Sequence, residues 1–190
     1  YDQLQYYNES GSKTYTSQNF IIDIAIALDD AFTKDTKFDI RFLALICLLV
    51  LTLGIYWIVE IVQGMTDNKK LQYFIAFVTV IIFGDIGYIS YFNSFFGEAI
   101  AYPFYILSIA AILKFAREGM KIRYLVIFVV ANIIFFGSKN QLALNGILGL
   151  LLLLILAFII RDVRKKTLSI ALAFLLLISS ATMYIAIEDG

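Results

Sequence analysis

The stretch LALNGILGLLLLLILAFII, residues 142–160, decides how this chain folds. It holds no Asp, Glu, Lys or Arg and is apolar on every face of a helix. A helix in water keeps a polar stripe toward solvent, and one that lacks it is buried or lies in lipid. Working outward, five more charge-free runs fill 42–59, 71–84, 99–113, 124–138 and 167–187. A hydrocarbon layer of ~30 Å takes about 20 helical residues. Runs 42–59, 142–160 and 167–187 are close to that length. The others reach it by taking in flanking polar residues such as Asp85 or Lys114. Barrel strands would alternate apolar and polar residues over about ten positions, and these runs do not. The expected fold is all-α, a polytopic transmembrane bundle of six helices. They are placed at about 41–62, 70–90, 99–116, 122–137, 141–160 and 167–187, after an external segment over 1–40.

The charges set the orientation. Lys69 and Lys70 follow the first run; Lys114, Arg117, Lys121 and Arg123 follow the third; Arg161, Arg164, Lys165 and Lys166 follow the fifth. These gaps hold ten of the 15 basic residues and only four acids, Glu60, Asp67, Glu118 and Asp162. The other side carries five basic residues against eleven acids. The positive-inside rule puts the basic gaps in the cytoplasm. Residues 1–41, 85–98, 138–141 and the C-terminus are then outside, in an integral membrane protein of the bacterial cell membrane. A net charge of zero conceals this asymmetry and gives no case for a nucleic-acid partner.

The single cysteine, Cys47, lies inside the first run, so disulfides are not part of the design. There is no His, which removes Ser–His, Cys–His and His-ligated metal chemistry from this stretch. No cofactor is indicated, and a divalent metal requirement is left open. The chain begins at Tyr1 rather than Met, and exporting residues 1–40 needs an upstream helix, so a longer protein is expected.

Residues 1–17 read as a loop rich in Tyr, Gln, Ser and Asn, with a common glycosylation pattern at Asn8-Glu9-Ser10. In 18–32, Phe20, Ile21, Ile24, Leu28 and Phe32 recur at helical spacing. This predicts a helix along the outer membrane surface. Asp23, Asp29 and Asp30 do not favour anionic lipid, so packing against the rest of the protein is expected of it. Residues 33–39 read as a polar hinge.

Gly84-Asp85-Ile86-Gly87-Tyr88-Ile89-Ser90-Tyr91-Phe92-Asn93-Ser94-Phe95-Phe96-Gly97-Glu98 is no ordinary loop. Asp85 continues an apolar run, where an ionisable group is expensive unless paired or wetted, and so is a functional candidate. Glu98 opens the next helix, where unpaired backbone N–H groups stabilise a carboxylate on structural grounds alone. Tyr88, Tyr91, Phe95 and Phe96 suit an interfacial aromatic belt. With carboxylates beside them they equally suit sugar rings, whose C–H faces are apolar and whose hydroxyls need acceptors. Pro103, the only proline, falls in the first or second turn of the following helix. The break Gly137-Ser138-Lys139-Asn140-Gln141 leaves almost no loop. A cation with two amides at the boundary holds a phosphate; alternatively, Lys139 snorkels to lipid or pairs with Asp85 or Glu98. Asp85, Tyr88, Asn93, Glu98, Lys139 and Gln141 are expected to share one outer cavity.

The Phe38-Asp39-Ile40-Arg41-Phe42 lead, the Asp85 to Glu98 turn and the Ser138-Lys139-Asn140-Gln141 break together resemble bacterial multi-pass glycosyltransferases of the GT-C type, nearest to surface-glycan hexosyltransferases. The matches run from Phe38 to Gln141. The resemblance implies an inverting membrane transferase. Its donor is a sugar on a polyprenyl phosphate, and its acceptor a glycan, lipid or protein outside the cytoplasm. It implies a general base in the family's first external loop, upstream of Tyr1, with Asp29-Asp30 the one weak candidate in view. Asp85 and Glu98 then stand as catalytic carboxylates, with Tyr88, Tyr91, Asn93, Ser94, Lys139, Asn140 and Gln141 as substrate-binding residues. A transporter or flippase for lipid-linked glycans, using Asp85 and Lys139 as a pathway, is the alternative, and a non-catalytic membrane subunit the second.

Overall fold

A computed structural model of the chain describes residues 3–5, 16–33 and 37–188. The pattern Asn8-Glu9-Ser10 lies outside the described residues. In chain order the elements are strand β1 (Gln3–Gln5), helix α1 (Ser17–Phe32), strand β2 (Lys37–Asp39), and helices α2 (Arg41–Gln63) and α3 (Lys69–Phe83). A short helix α4 (Ile86–Ile89) and a 3-10 turn (Ser90–Asn93) come next. Then come α5 (Gly97–Arg117), α6 (Ile122–Gly137), a second 3-10 turn (Asn140–Leu142), α7 (Asn145–Ile159) and α8 (Val163–Glu188). The fold is an all-α membrane helical bundle. Among the described residues its one β element is the ladder pairing Gln3 with Asp39 and Gln5 with Lys37. Part of the segment read as a hinge is thus a strand.

Helices α2, α5 and α8, the last over Val163–Thr182, are long and apolar enough to cross a membrane. A fourth span arises if α3 and the segment Ile86–Asn93 count as one, bent by 44°. Helices α6 and α7 are apolar but shorter. The helix read over 70–90 therefore breaks at Gly84, because Asp85 caps a new helix instead of continuing the old one.

Packing follows the helical period. In α2 the buried residues are Leu43, Cys47, Leu51, Gly54, Ile58 and Ile61, spaced by three or four. Leu45, Leu49 and Tyr56 on its other faces are exposed. Such leucines would be costly in water and are at home in lipid. Helix α5 is the centre, flanked by α2 and α6. Of its apolar window 67% is buried, against 28% for α2. Helices α7 and α8 form a hairpin docked mainly through α8 on α6. Its interior is tied by Ser169 Oγ donating to the Leu153 carbonyl (2.9 Å) and Ser180 Oγ to the Ala143 carbonyl (2.6 Å). These bonds satisfy hydroxyls that lipid cannot.

The three basic gaps meet at one end of the bundle. Lys114 Nζ lies 2.6 Å from Glu60 and 2.7 Å from Glu118. Arg117 donates to the Ile61 carbonyl, and Lys165 reaches the Gly119 carbonyl at 3.4 Å. Helix α5 ends there in a Schellman cap: Gly119 takes φ 68°, and the Met120 N–H donates to the Phe115 carbonyl (3.0 Å). Glu118 accepts from Lys114, Lys121 and the Tyr124 hydroxyl. Their hydrogen bonds hold its carboxyl far below the usual carboxylate range.

Candidate functional site at the opposite end of the bundle

The other end gathers α1, β2, the 84–96 turn, the start of α5 and the end of α6. Helix α1 starts at Thr16, whose hydroxyl accepts from the Asn19 N–H. Ser17 Oγ donates to the Ile134 carbonyl (2.6 Å), and the Gln18 amide to the Phe95 carbonyl. Asp29 is fully buried. Its Oδ2 accepts from the Asp39 N–H (2.7 Å) and its Oδ1 from the Thr33 hydroxyl (2.8 Å). Its carboxylate thus ties α1 to the chain entering α2. Asp39 itself accepts two bonds from Arg41 Nε, at 2.9 and 2.8 Å. The hydrogen bonds from Arg41 hold its carboxyl below its ordinary value. The Phe38-Asp39-Ile40-Arg41 lead is therefore a structural clasp at the head of α2.

Asp85 is exposed, and its Oδ1 accepts from the Gly87 N–H at 2.6 Å. It is the N-cap of α4, and that backbone N–H gives the carboxylate one fixed partner. Tyr88 stacks on Tyr102, ring centroids 4.4 Å apart and planes 9° from parallel. The Tyr102 hydroxyl donates to the Phe83 carbonyl (2.8 Å), closing the end of α3 against α5. Tyr91 meets Phe96 edge-on at 6.2 Å, and Ser94 Oγ donates to the Tyr91 carbonyl (2.6 Å). Phe92 points inward, 2% exposed, and anchors the turn in the core. Asn93 is exposed at the end of the 3-10 turn.

Lys139 and Glu98 form an ion pair, both side chains more than a third exposed. Gly97 makes it possible. A Cβ there would fall 2.8 Å from the Ser138 carbonyl oxygen and 3.3 Å from Lys139 Cβ. The start of α5 can abut the end of α6 only with no side chain at that point. Glu98 also lies in the first turn of α5, where the helix dipole favours a carboxylate. Gln141 is exposed in the following 3-10 turn; of Asn140 only the backbone is described. Of the residues read as one site, the structure pairs Glu98 with Lys139. Tyr88 it places on Tyr102, also of α5, and Asp85 at the head of the same short helix as Tyr88.

Two features escaped the sequence reading. One is Tyr102, which positions Tyr88. The other is a cavity of about 290 Å³ between α5, α6 and α7, with Tyr105, Ser108, Phe128, Asn132, Asn145 and Gly149 in its lining. Asn132 is 7% exposed and spends one amide N–H on the Phe128 carbonyl (3.3 Å). A lone amide inside an apolar run was its only signal. Among the described residues no group of three His, Cys, Asp or Glu is placed to hold a metal ion.

No curated protein and no solved structure matches the chain. A family model described as the YfdI N-terminal transmembrane domain matches residues 1–190. With all of its length inside that model, and with a bundle of apolar helices to match the description, the chain belongs to the YfdI N-terminal transmembrane domain family.

Proposed function

We propose that this domain is the membrane-embedded part of a glycosyltransferase. It moves a sugar from a polyprenyl-phosphate-linked donor to a glycan, lipid or protein acceptor on the non-cytoplasmic side. The observation that carries this reading is the half-exposed Glu98–Lys139 pair, which shares helix α5 with an aromatic turn. In the transfer, an acceptor hydroxyl attacks the anomeric carbon and the bond from that carbon to the phosphate oxygen breaks. The polyprenyl phosphate leaves with the electron pair, and the hydroxyl's proton passes to a carboxylate. Negative charge grows on the leaving phosphate, where a fixed cation is worth most. Lys139 supplies it, and Glu98 holds the ammonium in place until the more highly charged phosphate displaces it. Glu98 is then on the leaving-group side and orients sugar hydroxyls. An inverting displacement brings the acceptor from the opposite face, where its proton passes to the general base that the resemblance puts upstream of Tyr1, and Asp85 orients acceptor hydroxyls. Tyr88 and Tyr91 offer apolar faces to sugar rings, and Asn93, Ser94, Asn140 and Gln141 offer hydrogen bonds.

The test is transfer from a labelled polyprenyl-phosphate sugar by the full protein in vesicles. Lys139→Ala is expected to slow it at least ~10-fold, the effect of ~1.4 kcal/mol of lost transition-state stabilisation. Lys139→Arg keeps part of the rate. A folded Lys139→Ala protein working at the wild-type rate removes the phosphate role. The polar groups of Ser108 and Asn132 inside the bundle support a second reading, a path for a solute or lipid-linked glycan. Solute flux across liposomes, with no sugar transfer, would favour it.

A further inference from the structure

Helix α1 carries three separate stripes. At about 100° per residue, Phe20, Ile24, Ala27, Leu28 and Ala31 fall within one arc of roughly 100°. All five are exposed. Beside that arc on one side lie Ile21, Ala25 and Asp29, buried against the bundle. On its other side lie Asp23 and Asp30, both exposed. One face meets protein, one is apolar and uncovered, and one is acidic.

We infer that α1 is an interfacial helix, seated in the bilayer leaflet at its own end of the bundle, with the Phe20-Ile24-Leu28 stripe in lipid and the Asp23-Asp30 stripe in water. Four observations fix the lipid surface as the occupant. The first turn of α1 is bonded to Ile134 in the last turn of α6. The far end is bonded through Asp29 to the residue two before α2. The helix therefore lies across the ends of spans, where hydrocarbon gives way to headgroups. Next, Phe32 stacks on Phe42 of the first turn of α2, at 6.1 Å. Phe32 is itself exposed, one turn beyond Leu28 and just past the edge of the stripe, and Phe42 leads into the lipid-facing leucines Leu45, Leu48 and Leu49. Third, the exposed acids, Asp23 and Asp30, are confined to one stripe, as an interface demands and a fully submerged helix forbids, while Asp29 is buried and bonded within the protein. Last, the level is consistent with α5. Gly97–Arg117 has 21 residues, or roughly 30 Å of helix, one hydrocarbon thickness. Its Glu98 end lies at the α1 side. The sequence led us to expect a helix along the outer membrane surface that packs against the rest of the protein; the structure gives the packed face and leaves an apolar face beside it uncovered.

The test is nitroxide scanning of the full chain in phosphatidylcholine vesicles. Single cysteines replace Ala27, Ala31, Ile24, Asp23 and Asp30 in turn, with Cys47 buried and the unsubstituted chain as control. Collision with oxygen, which concentrates in lipid, is compared with collision with a water-soluble nickel chelate. A several-fold higher oxygen-to-nickel ratio at Ala27, Ala31 and Ile24 than at Asp23 and Asp30 is the expected result. The alanine positions keep the test open where loss of Ile24 disturbs folding. Equal ratios at all five would put the apolar stripe in water and overturn the proposal. Low access of both reagents at the three apolar positions would also overturn it, in favour of a covering protein chain.

Discussion

Glu98 and Lys139 stand 41 positions apart in the chain and form an ion pair where the start of α5 meets the end of α6. Exposed pairs of this kind contribute only ~0.2–1 kcal/mol to stability. Glu98→Gln should therefore shift thermal unfolding by little. If the pair serves chemistry, sugar transfer should fall about 10-fold or more in the same protein. Paired melting and transfer assays check this. A large fall in melting temperature with unchanged transfer of the remaining folded protein would make the pair a structural staple.

Gly97 is the contact on which that pair depends. Gly97→Ala places a methyl group 2.8 Å from the Ser138 carbonyl, a backbone atom that cannot swing aside. Overpacking of this sort costs about 1–3 kcal/mol. Gly97→Ala should unfold at lower temperature than wild type and weaken the Glu98–Lys139 pair. Gly87→Ala, at an exposed position in α4 where an added Cβ meets only the side chain of Asp85, is the comparison. Equal melting of the two variants would mean that α5 and α6 do not approach so closely.

The bundle was legible in the sequence because lipid imposes a simple rule: a charge-free run must span or lie buried. Run 142–160 is charge-free throughout, but the structure spends its start on a 3-10 turn and leaves α7 with 15 residues, apolar yet shorter than a full span, in a hairpin with α8. The turn at 84–96 was less legible. Gly84-Asp85 is a helix stop followed by an N-cap, but the apolar run around it hid the punctuation. The partner of Lys139 was one of several open choices, since a pairing across 41 positions is set by packing and not by any local pattern. The basic residues were read only for orientation. Their contacts with Glu60 and Glu118 depend on α2 and α5 running side by side in the same direction, which no periodicity encodes.

That basic end yields a stability prediction. Lys114 is 4% exposed and lies between Glu60 and Glu118. Bonds to a charged group contribute roughly 1.5–3 kcal/mol. Lys114→Met keeps most of the side chain's length and leaves Glu60 and Glu118 without their shared cation. It should destabilise the protein by roughly 2 kcal/mol in a denaturant titration, given that Glu60 can still reach solvent. Lys121→Met, at an exposed position on the same network, should do far less.

Glu118 gives the same network a pH signature. Its folded value is held well below the ordinary 4.5 by hydrogen bonds from Lys114, Lys121 and Tyr124. A group depressed on folding adds stability that is complete above its unfolded value and is lost as pH falls through the folded one. The contribution of Glu118 should therefore be constant from neutral pH down to about 5, then shrink as the medium becomes more acidic. Melting the wild type and Glu118→Gln side by side from pH 7 to pH 3 isolates it. The gap between the two proteins should be widest and flat at the upper end and should narrow below pH 4.5, where the unfolded carboxyl takes up its proton. Other titrating groups affect both proteins alike and drop out of the difference. A gap that stays the same across the whole range would mean that the carboxylate form of Glu118 contributes nothing, and that Lys114 is held by Glu60 alone.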